Sequence, residues 1–295
     1  MITSIAFIGV GIMGEGLVKN LKKLDLNLNL YSRNKDKIKH LEDTKTKIMN
    51  TIEEAVEFSD ITIICLTEDT ILEDAIFKKG ILEKAKNTVL DFGTTSPKLT
   101  LKIFDALKDK NVNFIDSPMT GSKLAAQNGE IIFMIGAKEE DCIDLKNIWL
   151  SCGKKFIFCN SVSEGQKLKI VLNFVQAGLL QIYMEGYTLS NNLNINIENY
   201  LEIIKHSAAK SPLSDFKLNA IQERNFSTNF SLKNMYKDIN HADELSNKTN
   251  SYLPLLSSLK PIYNLGIKKG LGELDFCSLI NINELLNDIK NQSQS

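Results

Sequence analysis

Ser4-Ile5-Ala6-Phe7-Ile8-Gly9-Val10-Gly11-Ile12-Met13-Gly14 is the stretch that decides the fold. A short apolar run stops at a glycine, and the pattern G-x-G-x-x-G then opens a helical stretch from Ile12 to about Lys23. The glycine pattern alone is weak. Between a buried strand and a helix it has the context that a dinucleotide-binding turn requires. There Gly9 permits the tight turn, Gly11 lets backbone approach a pyrophosphate, and Gly14 lets helix pack on strand. The helix N-terminus then faces the phosphate charge. The competing reading is a glycine-rich strand-helix turn that holds no ligand. On the first reading, residues Gly9, Val10, Gly11, Ile12, Met13 and Gly14 line the cofactor.

The pattern continues outward from this loop. Leu28 to Tyr31, a weak strand near Ile48, Asp60 to Leu66, Thr88 to Asp91 and Asn113 to Asp116 read as strands. A charged helix from Lys35 and another from about Pro97 alternate with them. The continuous apolar run Ile61–Leu66 fits a strand buried on both faces. Strands alternating with helices imply crossovers and a parallel sheet. Ile131 to Ile135 and Lys155 to Phe158 are expected to extend that sheet. From Glu164 onward only helical periodicity is visible. Glu164 to about Asn191 contains no proline and reads as one helix of about 40 Å at ~1.5 Å per residue. Breaks are expected near Ser211-Pro212, Leu253-Pro254 and Gly270-Leu271-Gly272, and the polar tail Asn291–Ser295 is expected to fray. The predicted fold is α/β: a Rossmann doubly wound, mostly parallel sheet in residues 1–162, then an all-α helical bundle in 163–295 that begins with the long helix and serves substrate binding and dimerisation.

Bulk composition narrows the partners. The chain has 295 residues, 43% of them apolar and 24% charged, with a net charge of −1. That leaves no global basic field for nucleic acid or an anionic membrane. No apolar run approaches the ~20 residues of a membrane span. The five cysteines, an odd number, have no C-x-x-C spacing, which argues against a disulfide framework or a zinc site. With no leader pattern at the N-terminus, a cytoplasmic protein without a metal is expected. The exposed helical faces suit a homodimer or homotetramer.

The end of the second strand reports on the cofactor. An NAD site places an acid there for the ribose 2′-hydroxyl. Here the residues are Tyr31-Ser32-Arg33-Asn34, with no acid. Arg33 can pair with a 2′-phosphate, and Ser32 and Asn34 add donors. NADP(H) is therefore expected. The alternative is that Arg33 is an ordinary surface arginine.

Three later segments carry candidate chemistry. Asp116-Ser117-Pro118-Met119-Thr120-Gly121-Ser122-Lys123 follows a strand, where open α/β sheets bind ligands. Thr120, Gly121 and Ser122 offer donors for a carboxylate, unless the segment is an ordinary turn. Lys169 and Asn173 are four apart on the long helix, hence on one face. A partly buried lysine there can exchange protons near neutrality. Otherwise the pair, with Gln176, forms a polar stripe facing solvent. The third segment, Phe230 to Asp238, reads by itself only as a helix start with Ser231 as cap.

Together these segments resemble the β-hydroxyacid dehydrogenase family over nearly the whole chain. The family's N-terminal signature is matched by Gly11-Ile12-Met13-Gly14 and Asn20-Leu21, and its substrate loop Pro-Val-Ser-Gly by Pro118-Met119-Thr120-Gly121. Its G-x-x-x-K-x-x-x-N motif is met by Gly165, Lys169 and Asn173, and its distal Lys-Asp pair by Lys237-Asp238. Asp91-Phe92-Gly93-Thr94-Thr95 is similar to the family's Asp-Met-Ser-Thr segment, with Gly93 departing from serine. The resemblance implies Lys169 and Asn173 as catalytic residues. It implies Thr120, Gly121, Ser122 and Asp238 at the substrate, and Leu66, Thr94 and Lys237 at the cofactor.

Thr120-Gly121-Ser122-Lys123 and Gly270 to Phe276 look most like the glyoxylate and succinic semialdehyde reductases. The implied activity is NADPH-dependent reduction of a short aldehyde-acid or keto-acid, with the active site in a cleft between the domains. A 3-hydroxyisobutyrate-type dehydrogenase is the runner-up. A non-catalytic dinucleotide-binding regulator, a nucleosome-associated homologue and an imine reductase are the readings from other classes. The intact Lys169 weighs against the regulator and the imine reductase, and a nucleosome-associated protein would need an additional binding module.

Overall fold

A computed structural model describes residues 2–289. The expected frayed tail, Asn291–Ser295, lies outside them. The chain divides into two compact units, the first ending at Lys169 and the second starting at Ile170.

In the first unit, β1 (Ser4–Ile8), α1 (Ile12–Leu21), β2 (Asn27–Tyr31), β3 (Thr46–Ile48), α2 (Ile52–Glu57) and β4 (Ile61–Ile64) come first. Then follow α3 (Asp69–Lys78), α4 (Ile81–Lys84), β5 (Thr88–Asp91), α5 (Pro97–Lys108) and β6 (Asn113–Asp116). The six strands lie in the order β3-β2-β1-β4-β5-β6. Every pairing is parallel. Ile5 and Phe7 belong to the core on one face, Ala6 and Ile8 to the core on the other. This is why β1 reads as a continuous apolar run rather than an alternating one. The order reverses at β1/β4, so the loops after these strands meet at the crevice where such sheets take ligands.

β7 (Met119–Thr120), α6 (Lys123–Asn128), β8 (Ile131–Ile135), α7 (Lys146–Cys152) and β9 (Gly153–Phe158) complete this unit. Here the structure corrects the sequence reading. β8 and β9 do not extend the large sheet; with β7 they form a second, three-stranded sheet. β8 takes β7 antiparallel on one side and β9 parallel on the other, so its hydrogen-bonding edges are already filled. Phe92, just past β5, meets Phe133 of β8 with ring centroids 4.9 Å apart and joins the two layers. The charged helix expected from Lys35 is a short 3-10 turn, Asp36–Leu41, in which only Ile38 and Leu41 are buried. Two apolar anchors do not hold a longer helix on the sheet. The helices α2, α3, α4, α6 and α7 were not read from the sequence.

Asn20 has a structural task. Its buried amide donates to the carbonyls of Gly16, Ala126 and Gln127 at 3.0, 2.8 and 3.2 Å. It thereby fastens α1 to α6. A Cβ on Gly16 would lie 2.7 Å from the Ala126 carbonyl carbon, so this helix pair needs glycine there.

The second unit is helical. α8 (Glu164–Asn192) enters it, followed by α9 (Ile197–His206), α10 (Pro212–Gln222), α11 (Leu232–Thr249), α12 (Pro254–Lys268) and α13 (Ile280–Leu286). Pro212 and Pro254 sit in the first turn of α10 and α12, where a missing N–H costs nothing. Two of the three expected breaks therefore fall where helices begin, and the third, near Gly270, falls just past the end of α12. Tyr183, Met184, Leu259, Tyr263 and Leu279 belong to the core of this unit. Among the described residues no helix is long and apolar enough to cross a membrane.

Candidate active site

The three fingerprint glycines are glycine for different reasons. Gly9 has φ +100°, and a Cβ there would lie 2.4 Å from the Cys65 carbonyl oxygen and 3.0 Å from Leu66 Cδ2. A Cβ on Gly14 would lie 2.7 Å from the Gly9 carbonyl oxygen. Both glycines are dictated by the fold. Around Gly11 nothing lies within 4 Å of a Cβ, so the fold itself does not demand glycine there. Gly11 is also the N-cap of α1 and supplies no side-chain cap. By contrast, Thr51, Ser96 and Ser122 cap α2, α5 and α6 with their hydroxyls. The first turn of α1, with half-buried Met13 and exposed Ile12 beside it, thus keeps its N–H groups and the space before them for an anionic ligand. These residues fit a dinucleotide.

Just past β2, Ser32 is half-buried while Arg33 and Asn34 are exposed. Asn34 Oδ1 accepts from the Lys37 amide at 3.3 Å, leaving its own N–H groups to donate. Among the described residues, no hydrogen bond or ion pair occupies the Arg33 guanidinium. Leu66 and the turn Gly93-Thr94-Thr95 follow β4 and β5 at the same edge of the sheet. A Cβ on Gly93 would lie 2.2 Å from the Leu66 carbonyl oxygen, which accounts for glycine at this position.

The segment after β6 is more than an ordinary turn. Met119 and Thr120 pair with Phe133 and Ile132 as β7. Gly121 has φ +154°, and a Cβ there would lie 2.7 Å from Ile131 Cδ1. Ser122 Oγ accepts from the Ala125 amide at 3.1 Å, capping α6 and keeping its own hydrogen to donate. Thr120 is half-buried beside it.

The start of α8 is bound to the sheet by buried polar groups. A Cβ on Gly165 would lie 2.4 Å from the Met134 carbonyl oxygen and 2.9 Å from Asp116 Oδ2. The first turn therefore approaches β8 closer than any larger residue permits. Asp116 accepts from the Ser163 amide at 2.7 Å and the Gln166 amide at 2.9 Å. The Gln166 side chain is fully buried. Its Nε2 donates to Asp91 Oδ2 at 3.2 Å and to the Gly93 carbonyl at 3.0 Å, and its Oε1 accepts from the Thr95 amide at 2.9 Å. Asp91 also accepts from Thr95 Oγ1 at 2.7 Å and from the Gly93 amide at 2.9 Å. Burial pushes the Asp91 carboxyl up to about 7, against these donors. Burial likewise pushes Asp116 up to about 6, against the two backbone amides.

Lys169 stands one turn further along the helix and is only 6% exposed. Asn173, a turn beyond, is 1% exposed. The polar-stripe alternative is thereby overturned: these two residues are hidden, while Val171 and Val175 face solvent. Within the second unit, Asn173 Nδ2 donates to Asp238 Oδ2 at 2.6 Å, and Lys237 Nζ lies 3.1 Å from Asp238 Oδ1. Asp238 is fully buried and orients the Asn173 amide. Ser231 caps α11, accepting from the Asn234 amide at 3.2 Å.

Two family models match the chain. Residues 4–162 match the NAD binding domain of 6-phosphogluconate dehydrogenase, and residues 163–283 the NAD-binding model of NADP-dependent 3-hydroxyisobutyrate dehydrogenase. The chain belongs to the β-hydroxyacid dehydrogenase family. It is 24% identical to glyoxylate/succinic semialdehyde reductase 1 of Arabidopsis thaliana over 94% of this chain and 96% of that protein. It is also 24% identical to the cytokine-like nuclear factor N-PAC of Xenopus tropicalis over 88% of this chain, which spans about half of that protein, 49%. In fold it is similar to 3-hydroxyisobutyrate dehydrogenase from Salmonella typhimurium, with a TM-score of 0.86 at 18% identity over 95% of this chain and 99% of that one.

As a member of this family the chain is an oxidoreductase of hydroxy acids with an NAD(P)-binding domain. The sequence reading missed the part of this β-hydroxyacid dehydrogenase that holds Lys169's helix: Asp91, Asp116 and Gln166. Asp91 and Asp116 both end strands, and an acid closing an apolar strand was the available signal. Gln166 had none, because a lone glutamine in a helix is chemically ordinary.

Proposed function

We propose that this protein reduces a short aldehyde-acid or keto-acid, of the glyoxylate or succinic semialdehyde kind, to the hydroxy acid with NADPH. The observation that carries the proposal is the hidden Lys169 on α8, one turn past a fully bonded Gln166. A side chain held there serves chemistry better than solvation.

The bound nicotinamide supplies the hydride. Gly9, Gly11 and Gly14, with Val10, Ile12 and Met13, seat the pyrophosphate, and Leu66, Thr94 and Lys237 contact the rest of the dinucleotide. Arg33, with Ser32 and Asn34, grips the 2′-phosphate, for which the absence of an acid after β2 speaks. Thr120, Gly121 and Ser122 hold the substrate carboxylate. As negative charge develops on the carbonyl oxygen, the Lys169 ammonium stabilises it and delivers the proton to that oxygen. Asn173, oriented by Asp238, positions substrate or lysine. Residues 1–162 carry most of the nucleotide contacts and the carboxylate loop, and 163–295 add Lys169, Asn173 and Asp238 on the substrate side and Lys237 at the nucleotide.

A second copy of the chain is the proposed partner. On α8 the exposed positions from Leu168 to Ile182 are all aliphatic: Leu168, Val171, Val175, Leu179 and Ile182. An uncharged stripe on one face complements itself about a two-fold axis. Sedimentation of the purified chain is expected to show a dimer or tetramer that Ile182→Lys dissociates. A monomeric wild type would sink this part.

The activity is tested with NADPH and NADH in parallel against glyoxylate and succinic semialdehyde, and with the oxidised cofactors against 3-hydroxyisobutyrate. Reduction with NADPH is expected to dominate. Lys169→Ala is expected to lower kcat by about 10²–10⁴-fold, the range for a general acid, while NADPH still binds. Arg33→Ala is expected to weaken NADPH by about 1.5–3 kcal/mol and to spare NADH. Full turnover in Lys169→Ala would overturn the mechanism. Faster oxidation of 3-hydroxyisobutyrate would assign the dehydrogenase direction instead.

A further inference from the structure

We propose that Gln166 is a positioning residue that sets Lys169 in register with the Thr94 turn. This rests on the reading of Lys169 as proton donor.

One fully buried amide makes three hydrogen bonds to Asp91, Gly93 and Thr95, which bracket Thr94 on both sides. Nε2 is donor to the Gly93 carbonyl, and Oε1 is acceptor from the Thr95 amide. Gln166 thus holds the Gly93 carbonyl and the Thr95 amide on either side of Thr94, while Asp91 takes the Gly93 amide and the Thr95 hydroxyl. The Gln166 side chain belongs to α8, whose backbone at the same residue donates to Asp116. Gly165, one residue earlier, brings the helix within reach by its contact with the Met134 carbonyl. Lys169 lies three residues further on, so its Cβ leans back over the turn that carries Gln166.

The amide is suited to the position by its donor and acceptor. Methionine, of similar length, provides no strong donor and leaves the Thr95 N–H and the Gly93 carbonyl without this partner. Glutamate keeps an acceptor but brings a second carboxyl against Asp91. A small displacement of a catalytic group costs about 10²-fold in rate, so the lock acts on kcat.

The test uses the full chain and two readouts. In the protein without added cofactor, amide hydrogen exchange is followed in peptides covering residues 91–96 and 164–172. Gln166→Met is expected to raise exchange in both peptides together, by about tenfold or more. Asn29→Ala removes a buried amide of β2 that bonds the Phe58 carbonyl and the Ser59 hydroxyl elsewhere in the same unit and is the control. It is expected to leave both peptides and kcat unchanged. For the panel substrate with the highest kcat/KM, Gln166→Met is expected to lower kcat about 10–100-fold with KM within threefold. Should Gln166→Met not fold, Gln166→Glu is expected to show the same pattern. Unchanged exchange at 91–96 overturns the lock, as does wild-type kcat in a folded variant. Lys169→Ala, assayed alongside, separates the two failures. If it is inactive while Gln166→Met turns over normally, only the positioning role falls. If it retains turnover, the proton-donor reading falls first.

Discussion

The two units bury carboxylates in opposite ways. In the first, Asp91 and Asp116 are met by neutral donors: amides, a hydroxyl and the Gln166 side chain. In the second, Asp275 takes the Lys217 ammonium at 2.7 and 2.8 Å, with the amides of Asn229, Phe230 and Cys277 each at 3.1 Å. Lys217 Nζ also lies 4.6 Å from the centre of the Phe276 ring. The ion pair pins α10 to the segment before α13. The neutral network pins the turns that carry the proposed chemistry. A buried acid without a cation titrates nearer neutrality. A buried acid with one makes its partner indispensable.

The larger effect is expected from the ion pair. Lys217→Ala leaves the Asp275 charge buried with backbone donors alone, at a cost of about 3–5 kcal/mol. Urea unfolding followed by circular dichroism measures it. An unchanged midpoint would show that the three amides suffice and would erase the contrast between the units.

The smaller effect sharpens the contrast through pH. Asp91 at about 7 and Asp116 at about 6 lie above the ordinary carboxyl value of 3.8. The folded chain therefore binds these protons more tightly than the unfolded chain does. The stability they contribute is complete below about pH 4 and is lost as pH rises through 6 and 7. Urea midpoints at pH 5 and pH 8 are expected to show the wild type losing ground to Asp91→Asn. Parallel shifts in both proteins would mean that Asp91 is ionised throughout.

Legibility followed the range of the interactions. β1, the glycine loop and α8 were readable because their signals are local: an apolar run, three glycines, and 29 helical residues without proline. The breaks at Pro212 and Pro254 were readable for the same reason. The 3-10 turn at Asp36–Leu41 was misread as a helix because propensity does not count how many side chains find a core. β8 and β9 were assigned to the wrong sheet because a strand's pattern does not name its neighbour.

The sequence by itself determined that a dinucleotide turn opens the chain and that Lys169 and Asn173 share one helical face. Both follow from short-range geometry, a steric demand for glycine and a period of 3.6 residues. Only the tertiary structure decided which way that face points. It hides Lys169 and Asn173 and leaves Val171 and Val175 in solvent, the reverse of what polarity alone would favour. The choice is made by partners 50 and 75 residues back along the chain, at Asp116 and Asp91, and 65 residues ahead, at Asp238. Buried hydrogen bonds to them stabilise a polar face that, on an isolated helix, would turn to water.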